Sequence, residues 1–296
     1  MTILNSKYNK KFGNNFLRVN KIKLSIITIN YNNVLGLQKT IESVVSQTSQ
    51  DFEYIIIDGG STDGSIDVIK KYADRIKYWI SEPDNGVYNA MNKGIRAANG
   101  EFCQFLNSGD FLVSPTVTSS MLSNMPECDI YYGNMIKKMD ENRVLYNRKI
   151  PTISMLTFYK GTLNHPSTYI RRSLFDTFGL YDENLQIVSD WKFFMTVVGM
   201  HNVKVAYKDI DLTYFDMTGK SNTNNILQEN ERRKVLKETI PVNILADYDR
   251  YANYIISMKR LNRFKITKWL VFIVERILFK LEKIETSIKK THIHYL

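Results

Sequence analysis

The stretch that decides the fold lies between residues 25 and 110, and its most informative pieces are SIITINYNN (25–33), YIIIDGGSTDG (54–64) and FCQFLNSGD (102–110). Each piece begins as a short apolar run typical of a buried strand and ends in a turn with a carboxylate or an amide. In open α/β sheets, ligands bind beyond the carboxyl ends of the strands, so we expect these turns to meet at one crevice. The pattern indicates a site for a polar, phosphate-bearing ligand.

Segments with the 3.6-residue apolar period of a helix separate these runs, the first marked by Leu37, Ile41 and Val44. The alternation predicts a mostly parallel sheet with crossover helices. Beyond Asp110 the pattern changes, and we predict these elements: antiparallel strands at 130–135 and 144–146 around a turn at 140–142, a strand at 165–170, helices at 172–178 and 191–200, a strand at 203–207, and helices from residue 225 onward.

Composition is typical of a globular protein, with 296 residues, 44% hydrophobic and 24% charged, which argues against disordered and fibrous classes. Two cysteines provide neither a disulfide framework nor the spacing of metal ligands. Cys103 lies within an apolar run, so we expect a buried, inert thiol, which is compatible with a reducing cytosol. No apolar segment of a signal peptide follows the basic start of the chain, so we expect a cytoplasmic protein.

The net charge of +10 is concentrated at the two ends of the chain. Residues 1–23 carry six basic and no acidic side chains, and residues 259–296 carry ten basic and three acidic ones, which leaves the body slightly acidic. Basic ends on an acidic body indicate contact with an anionic surface and argue against a nucleic-acid groove.

The C-terminal segment has an apolar stripe at helical spacing, formed by Ile266, Leu270, Ile273, Ile277, Leu281, Ile284 and Ile288. Its uninterrupted apolar run covers only 269–274, which is too short to span a bilayer. The excess of Lys and Arg favours a helix lying on an anionic membrane. A packing or coiled-coil helix remains an equal alternative.

The turn after the second strand carries Asp58. It is not an EF-hand loop, because Gly60 and Thr62 occupy ligand positions, and it is not a phosphate-binding P-loop, because no Gly-Lys-Ser/Thr follows. Asp58 at a strand end is suited to accept hydrogen bonds from a base or a ribose. A plain βα turn whose helix is capped by Ser61 or Asp63 is the structural alternative.

Three further polar sites could bind a ligand, hold a metal ion or take part in catalysis. Residues 81–94 concentrate amides and carboxylates before a helix, which favours a ligand role over a solvated loop. Asp110 could hold Mg²⁺ or Mn²⁺, which need few protein oxygens when a diphosphate supplies the rest, although it could also be an ordinary turn residue. Asp190 opens an apolar helix, where a catalytic carboxylate and a helix N-cap are equally compatible with the sequence.

These stretches resemble the ordered motifs of glycosyltransferase family 2, at 25–32, 57–64, 84–94 and 105–110. The resemblance covers about residues 22–215, and four motifs in this order are highly specific. It implies the GT-A fold, an α/β, Rossmann-like nucleotide-binding domain with a mostly parallel mixed sheet flanked by helices, here with a C-terminal helical extension. It also implies an inverting, nucleotide-sugar-dependent enzyme, and Asp58-Gly59 resembles the capsule and lipopolysaccharide branch of the family.

The resemblance assigns roles to individual residues. It implies that the nucleotide pocket is lined by Thr28, Asn30 and Tyr31, and that Asp58 accepts a hydrogen bond from the uracil ring. It implies that Asp84 and Asn92 contact the nucleotide or position the segment over it. It places Asn107 and Asp110 at the sugar diphosphate. Asp110 is also the implied metal ligand, and Asp190 is the implied catalytic base.

The chain departs from the family pattern at two places. The usual Asp-x-Asp motif reads Asn107-Ser108-Gly109, which leaves Asp110 as its carboxylate, so we expect the cation to be held chiefly by the donor diphosphate. Ser189 replaces the acid that precedes the base. His165 is a further candidate for acceptor or metal binding, although a lone histidine is more often a structural hydrogen-bonder.

We therefore expect a basic arm (1–21), a GT-A domain (22–220, with a nucleotide half 22–110 and an acceptor half 111–220), and a helical extension (221–296) that is basic and amphipathic at 262–290. The expected reaction moves a sugar from a UDP-sugar to a glycan or lipid-linked glycan, with Mn²⁺ or Mg²⁺, at the inner face of the cell membrane. One alternative is an inactive nucleotide-sugar-binding scaffold. A nucleotidyltransferase is disfavoured, because residues 30–36 carry no Lys or Arg to grip a triphosphate.

Overall fold

The computed structural model describes residues 22–49, 51–138, 144–150, 152–217, 224–261 and 265–293. The predicted arm at 1–21 and the predicted turn at 140–142 lie outside these ranges. The chain divides into two compact units, Met1–Arg232 and Arg233–Leu296.

The first half of the larger unit is a parallel βα arrangement. Its strands are β1 (Leu24–Asn30), β2 (Phe52–Asp58), β3 (Tyr78–Ser81) and β4 (Phe102–Phe105), and its helices are α1 (Val34–Val45), α2 (Ser65–Lys71) and α3 (Val87–Ala97). All residues of β1 are buried, as expected of a strand covered on both faces by helices. Helix α1 begins at Asn33, whose side chain accepts a hydrogen bond from the Gly36 N–H at 3.1 Å, and buries Leu37, Ile41 and Val44.

The second half adds antiparallel pairs to the same sheet. Its strands are β5 (Phe111–Leu112), β6 (Ile130–Lys138), β7 (Val144–Asn147), β8 (Thr168–Arg171) and β9 (Val205–Phe215), and its helices are α4 (Val117–Leu122), α5 (Met155–Lys160), α6 (Ser173–Phe178) and α7 (Ser189–Phe194), which continues as a π-helical turn over Met195–Met200. The strand order is β3-β2-β1-β4-β8-β6-β9-β5, with β7 paired to β6. This mixed sheet with flanking helices confirms the predicted α/β fold class. Four of its strand pairs are parallel and four are antiparallel among the described residues, so parallel pairing dominates only in the first half.

Two predicted elements differ from the structure. The strand expected at 165–170 begins only at Thr168, because residues His165–Ser167 form a 3₁₀ turn in which Pro166 has no N–H to give to a sheet. The strand expected at 203–207 extends to Phe215 as β9, since its polar residues lie on a half-buried strand that lacks a clean apolar alternation. The longer strand carries the chain back to the polar ends of β1 and β4.

The order of the strands reverses between β1 and β4, which pair in parallel. Such a switch point opens a crevice at the carboxyl ends of the strands. Asn30 ends β1 and Asn107 follows β4, so the fold places both predicted turns at this crevice.

Both cysteines are buried, as expected for Cys103. Burial raises the pKa of the Cys103 thiol to about 12 and that of Cys128 to about 11, so neither is ionised at neutral pH.

The predicted helices from residue 225 onward are α8 (Asn225–Thr239), α9 (Val242–Leu261) and α10 (Lys265–Ile293). In the described part of the chain, no helix has the length and apolar character needed to cross a bilayer.

Candidate active site

The turn after β2 is organised around the buried carboxylate of Asp58. Its Oδ1 accepts hydrogen bonds from Asn30 Nδ2 at 2.7 Å and Ser61 Oγ at 2.6 Å, and its Oδ2 accepts from the Ser61 N–H at 2.9 Å and Ser81 Oγ at 2.6 Å. Burial alone would raise the pKa of Asp58, but these hydrogen bonds outweigh it and hold the pKa below its usual value. Asp58 therefore joins the ends of β1, β2 and β3 as an anion.

Four donors already fill the acceptor positions of Asp58. Direct acceptance from a uracil ring, which the resemblance implies, therefore requires one donor to give way. Ser61 serves this carboxylate and does not cap α2. Asp63 does not cap α2 either, because the N-cap residue is Gly64 and this helix has no side-chain cap hydrogen bond. Asp63 instead links the starts of two helices: its Oδ1 accepts from the Ser65 N–H at 3.1 Å and its Oδ2 accepts from the Val34 N–H at 2.8 Å.

Two predicted nucleotide residues, Tyr31 and Asp84, converge at Gly59 in this turn. A Cβ atom added to Gly59 would lie 2.5 Å from Asp84 Oδ2 and 3.2 Å from the Tyr31 ring, so a glycine is needed for these groups to approach. Tyr31 is 66% exposed, which leaves its ring open to a planar ligand. Asp84 accepts a hydrogen bond from the Gly86 N–H at 2.8 Å through Oδ1, the oxygen that does not face Gly59. Tyr31, Gly59 and Asp84 thus form a small polar and aromatic surface.

Two other predicted nucleotide residues do not line this surface. Thr28 is fully buried, with its hydroxyl donating to the Leu106 carbonyl at 2.8 Å, because its side chain points from β1 into the core. Asn92 is also buried and donates to the Tyr181 carbonyl at 2.9 Å and to Glu183 at 2.8 Å. Asn92 therefore ties α3 to the segment ahead of α7, which matches the supporting alternative of its predicted role.

The turn after β4 carries a second buried carboxylate, Asp110. Its Oδ1 accepts the backbone N–H of Asp216 at 2.8 Å, and burial raises its pKa to about 7. Asn107 precedes it, and the Oδ1 atom of Asn107 is buried with no hydrogen-bond partner among the described residues. The polar side chains of this turn thus have fewer hydrogen-bond partners among the described residues than Asp58 has.

The predicted base, Asp190, lies at the second position of α7 and does not cap it, since Val188 is the N-cap residue. Its Oδ1 accepts from the Tyr88 hydroxyl at 2.8 Å, and its Oδ2 accepts from His165 Nδ1 at 3.1 Å. Burial would raise the pKa of Asp190, but the hydrogen bonds and the charge of His165 hold it below its usual value. The two hydrogen bonds therefore hold Asp190 as an anion, and 15% of its side chain is exposed to solvent.

His165 connects this carboxylate to the turn after β4. Its Nδ1 faces Asp190, and its Nε2 lies 3.4 Å from Asn107 Nδ2. Burial lowers the pKa of His165, but the hydrogen bond and charge of Asp190 and the charge of Asp110 outweigh burial and raise it. The structure therefore brings together Asp190, His165, Asn107 and Asp110, which the sequence singled out, and adds Tyr88 and Asp216, which it did not.

The residues around Asp110 suit a hard divalent cation. Across the ranges that the structure covers, no group of three or more His, Cys, Asp or Glu residues has the geometry to hold a metal ion by itself. A carboxylate with a neighbouring buried amide oxygen nevertheless fits a cation that takes further oxygens from a diphosphate. The donor set is therefore compatible with the expected Mg²⁺ or Mn²⁺.

Comparisons with known proteins agree with this geometry. The sequence profile of Glycosyl transferase family 2 matches residues 25–182. An uncharacterized glycosyltransferase of Mycobacterium tuberculosis, MT1564, is 33% identical over 179 residues, which cover 58% of this chain and 67% of the relative. A PGL/p-HBAD biosynthesis glycosyltransferase of Mycobacterium bovis is 28% identical over 215 residues, which cover 67% of this chain and 79% of the relative.

Solved structures share the fold. S. aureus TarS 1–349 in complex with UDP-GlcNAc superposes with a TM-score of 0.57 at 19% identity, covering 72% of this chain and 64% of TarS 1–349. The mannosyltransferase PcManGT of Pyrobaculum calidifontis, in complex with GDP-Man and Mn²⁺, gives a TM-score of 0.53 at 13% identity, covering 71% of this chain and 60% of PcManGT. The chain thus spans less than two thirds of each of these proteins.

Proposed function

The chain belongs to glycosyltransferase family 2, and from this premise we propose that it transfers a sugar, with inversion, from a UDP-sugar to a hydroxyl of a glycan or lipid-linked glycan in surface polysaccharide biosynthesis. The observation that carries the proposal is the Asp190 carboxylate, held by Tyr88 and His165 next to the turn that bears Asp110. A fixed anion near a site for a diphosphate is what a single displacement at an anomeric carbon requires.

In the proposed step, the acceptor hydroxyl attacks the anomeric carbon, and Asp190 takes the hydroxyl proton as the bond to the diphosphate breaks. The lowered pKa of Asp190 keeps the carboxylate ionised at neutral pH, so it is ready to accept this proton. Tyr88 and His165 each bind one carboxylate oxygen and so fix its orientation. A single displacement inverts the anomeric centre, and this is the basis for proposing inversion.

The donor is proposed to lie with its base over Tyr31, Gly59 and Asp84 and its diphosphate near Asn107 and Asp110. A bound divalent cation would offset the charge of the departing diphosphate. Asp110 and Asn107 are the residues proposed to face it. With few protein oxygens there, the affinity for Mn²⁺ without nucleotide is expected to be low, which calorimetry on the nucleotide-free protein can test; tight binding would contradict it.

UDP is the proposed donor nucleotide because the family resemblance implies it. The TarS complex contains UDP-GlcNAc, so this sugar nucleotide is the first donor to test. The experiment is a screen of UDP-sugars and GDP-mannose with and without Mn²⁺, in which the released nucleotide is measured. We expect slow release of UDP from one UDP-sugar by donor hydrolysis, and loss of this release in Asp190→Asn. Exclusive release from GDP-mannose would overturn the choice of UDP. Tight UDP binding with no release from any donor would favour the inactive scaffold.

We also propose that the protein lies on the inner face of the cell membrane through α10. Large apolar side chains of this helix are exposed along its described length, including Trp269, Phe272 and Phe279, and Lys280 and Lys283 are exposed on the same helix. Exposed apolar groups with flanking cations suit an anionic bilayer surface, where each cation contributes about 1 kcal/mol. The anionic leaflet would also hold a lipid-linked acceptor.

Vesicle sedimentation of the full chain tests this location. Lys280→Gln/Lys283→Gln is expected to weaken binding to anionic vesicles by roughly 30-fold, because two cations contribute about 2 kcal/mol. Lys70→Gln/Lys71→Gln, a matched pair of exposed lysines on α2, is the control and is expected to bind like wild type. Binding is also expected to fall in 1 M salt, where the Debye length is about 3 Å. Failure of the wild type to pellet, together with dimers in light scattering, would identify α10 as a dimer seam.

A further inference from the structure

The turn after β4 disfavours any side chain at position 109. Gly109 has a φ of 108°, a left-handed conformation that residues other than glycine rarely adopt. A Cβ atom built on Gly109 would also overlap Oδ2 of Asp216, so Asp216 would have to move. The second acid of an Asp-x-Asp motif would therefore be strained at position 109 and would compete for space with the Asp216 carboxylate.

Asp216 is held in this place by the end of β9. Strands β5 and β9 pair antiparallel, with Phe111 opposite Tyr214, and the two rings stack with their centroids 4.7 Å apart. Continued by two residues, this register places residue 216 opposite Gly109, and the backbone N–H of Asp216 donates to Asp110 Oδ1 at 2.8 Å. Strand pairing and this hydrogen bond thus hold the backbone of Asp216 beside the turn, and its carboxylate lies against Gly109.

We infer that Asp216 supplies the carboxylate that Gly109 lacks and, with Asp110, faces the divalent cation of the donor diphosphate. This inference rests on the proposed function. Two carboxylates and the buried, unpartnered Oδ1 of Asn107 form an all-oxygen set of the kind that Mg²⁺ and Mn²⁺ prefer. The carboxylate pair of the usual motif is thereby distributed over two strands that are distant in sequence.

Titration of Mn²⁺ into the full chain with UDP, followed by the electron paramagnetic resonance signal of free Mn²⁺, tests the assignment without any turnover. Asp216→Asn is expected to weaken Mn²⁺ binding to the UDP complex by at least roughly tenfold, as does the loss of groups that support metal sites. The backbone N–H that binds Asp110 is unchanged in this variant. Asp216→Glu keeps the charge and is expected to recover part of the affinity.

Asp209→Asn is the matched control, because Asp209 is an exposed acid on the same strand, β9. It is expected to bind Mn²⁺ like wild type. UDP affinity measured without Mn²⁺ should be equal in all four proteins, which separates metal binding from nucleotide binding and from misfolding. Wild-type Mn²⁺ affinity in Asp216→Asn would overturn the inference, and so would a wild type that binds UDP but takes up no Mn²⁺. A wild type that does not bind UDP would instead overturn the proposed function and the inference with it.

Discussion

Asp58 is a buried carboxylate and Asp190 is a half-buried one, and the pKa values of both are lowered, yet their surroundings differ. Asp58 accepts four hydrogen bonds, all from the ends of the first three strands and the turn between them. Asp190 accepts two side-chain hydrogen bonds, one of them from Tyr88, which is 102 residues away. The acceptor positions of Asp58 are all used by groups around its own turn. Asp190 keeps unused acceptor positions and lies where the two halves of the larger unit meet.

The chemical nature of the donors sharpens the contrast. Each oxygen of Asp58 faces an N–H group that can only donate, from the Asn30 amide or the Ser61 backbone. The partners of Asp190 are a hydroxyl and an imidazole, and both can either donate or accept. Replacing a carboxylate by the isosteric amide is therefore costly to the fold at position 58 and tolerable at position 190. This contrast is the reason for proposing that Asp58 supports the nucleotide side of the site and that Asp190 serves the chemical step.

The largest expected effect belongs to Asp190→Asn. Loss of a general base is expected to lower kcat by roughly 10²- to 10⁴-fold. Stability is expected to change by only about 1 kcal/mol, because the amide oxygen still accepts from one partner and the other, a hydroxyl or an imidazole, can accept from the amide N–H₂. Turnover is measured by UDP release with acceptor present, and stability by urea unfolding. An Asn variant with wild-type turnover would remove Asp190 from the mechanism.

Asp58→Asn is expected to act on stability first. An amide at this position would place its N–H₂ group opposite the Asn30 amide or the Ser61 N–H, which can only donate. Together with the loss of charge-assisted hydrogen bonds, this is expected to lower the free energy of unfolding by about 3 kcal/mol. Urea unfolding at pH 7 measures this effect, with Asp67→Asn, at an exposed acid in α2, as the control. A variant as stable as wild type would mean that the four donors around Asp58 rearrange freely.

The pH dependence of the unfolding free energy of wild type and Asp58→Asn tests whether the charge of Asp58 contributes to stability. The folded-state pKa of Asp58 is depressed, so its contribution is present above the unfolded-state pKa of about 3.9 and is lost as the pH falls through the folded-state value. The difference in unfolding free energy between wild type and Asp58→Asn is therefore expected to be constant from pH 7 to 5 and to shrink below about pH 4. A difference that stays constant at pH 3 would show that the charge of Asp58 does not contribute.

A smaller effect is expected for Tyr88→Phe. Removing the hydroxyl deletes one hydrogen bond to the ionised Asp190, a loss of about 1.5 kcal/mol that raises the pKa of this carboxylate. The acid limb of the pH–rate profile is expected to move to higher pH. Tyr72→Phe, whose hydroxyl bonds Glu42 on the surface, is the control. An unmoved acid limb would show that Tyr88 does not act on the base.

The sequence predicted the parts of this site that depend on local signals. Asp58 and Asp110 follow apolar strands, and their turns were recognisable from residues next to one another in the chain. Tyr88 and Asp216 were missed because their roles depend on partners far away in sequence, and Asp216 also on a strand, β9, whose half-buried pattern hid its length. The resemblance placed Thr28 in the nucleotide pocket, whereas its side chain points into the core, because similarity of a motif does not distinguish an inward side chain at a strand end from one that lines a crevice.

The most direct test of the division between the two carboxylates is a calorimetric titration of UDP into wild type, Asp58→Asn and Asp190→Asn. Asp58 holds the turn that presents Gly59 between Tyr31 and Asp84, so its loss is expected to weaken UDP binding at least tenfold, or about 1.4 kcal/mol. Asp190→Asn is expected to bind UDP with wild-type affinity despite its lost turnover. Equal loss of UDP affinity in both variants, or wild-type affinity in Asp58→Asn, would contradict the account.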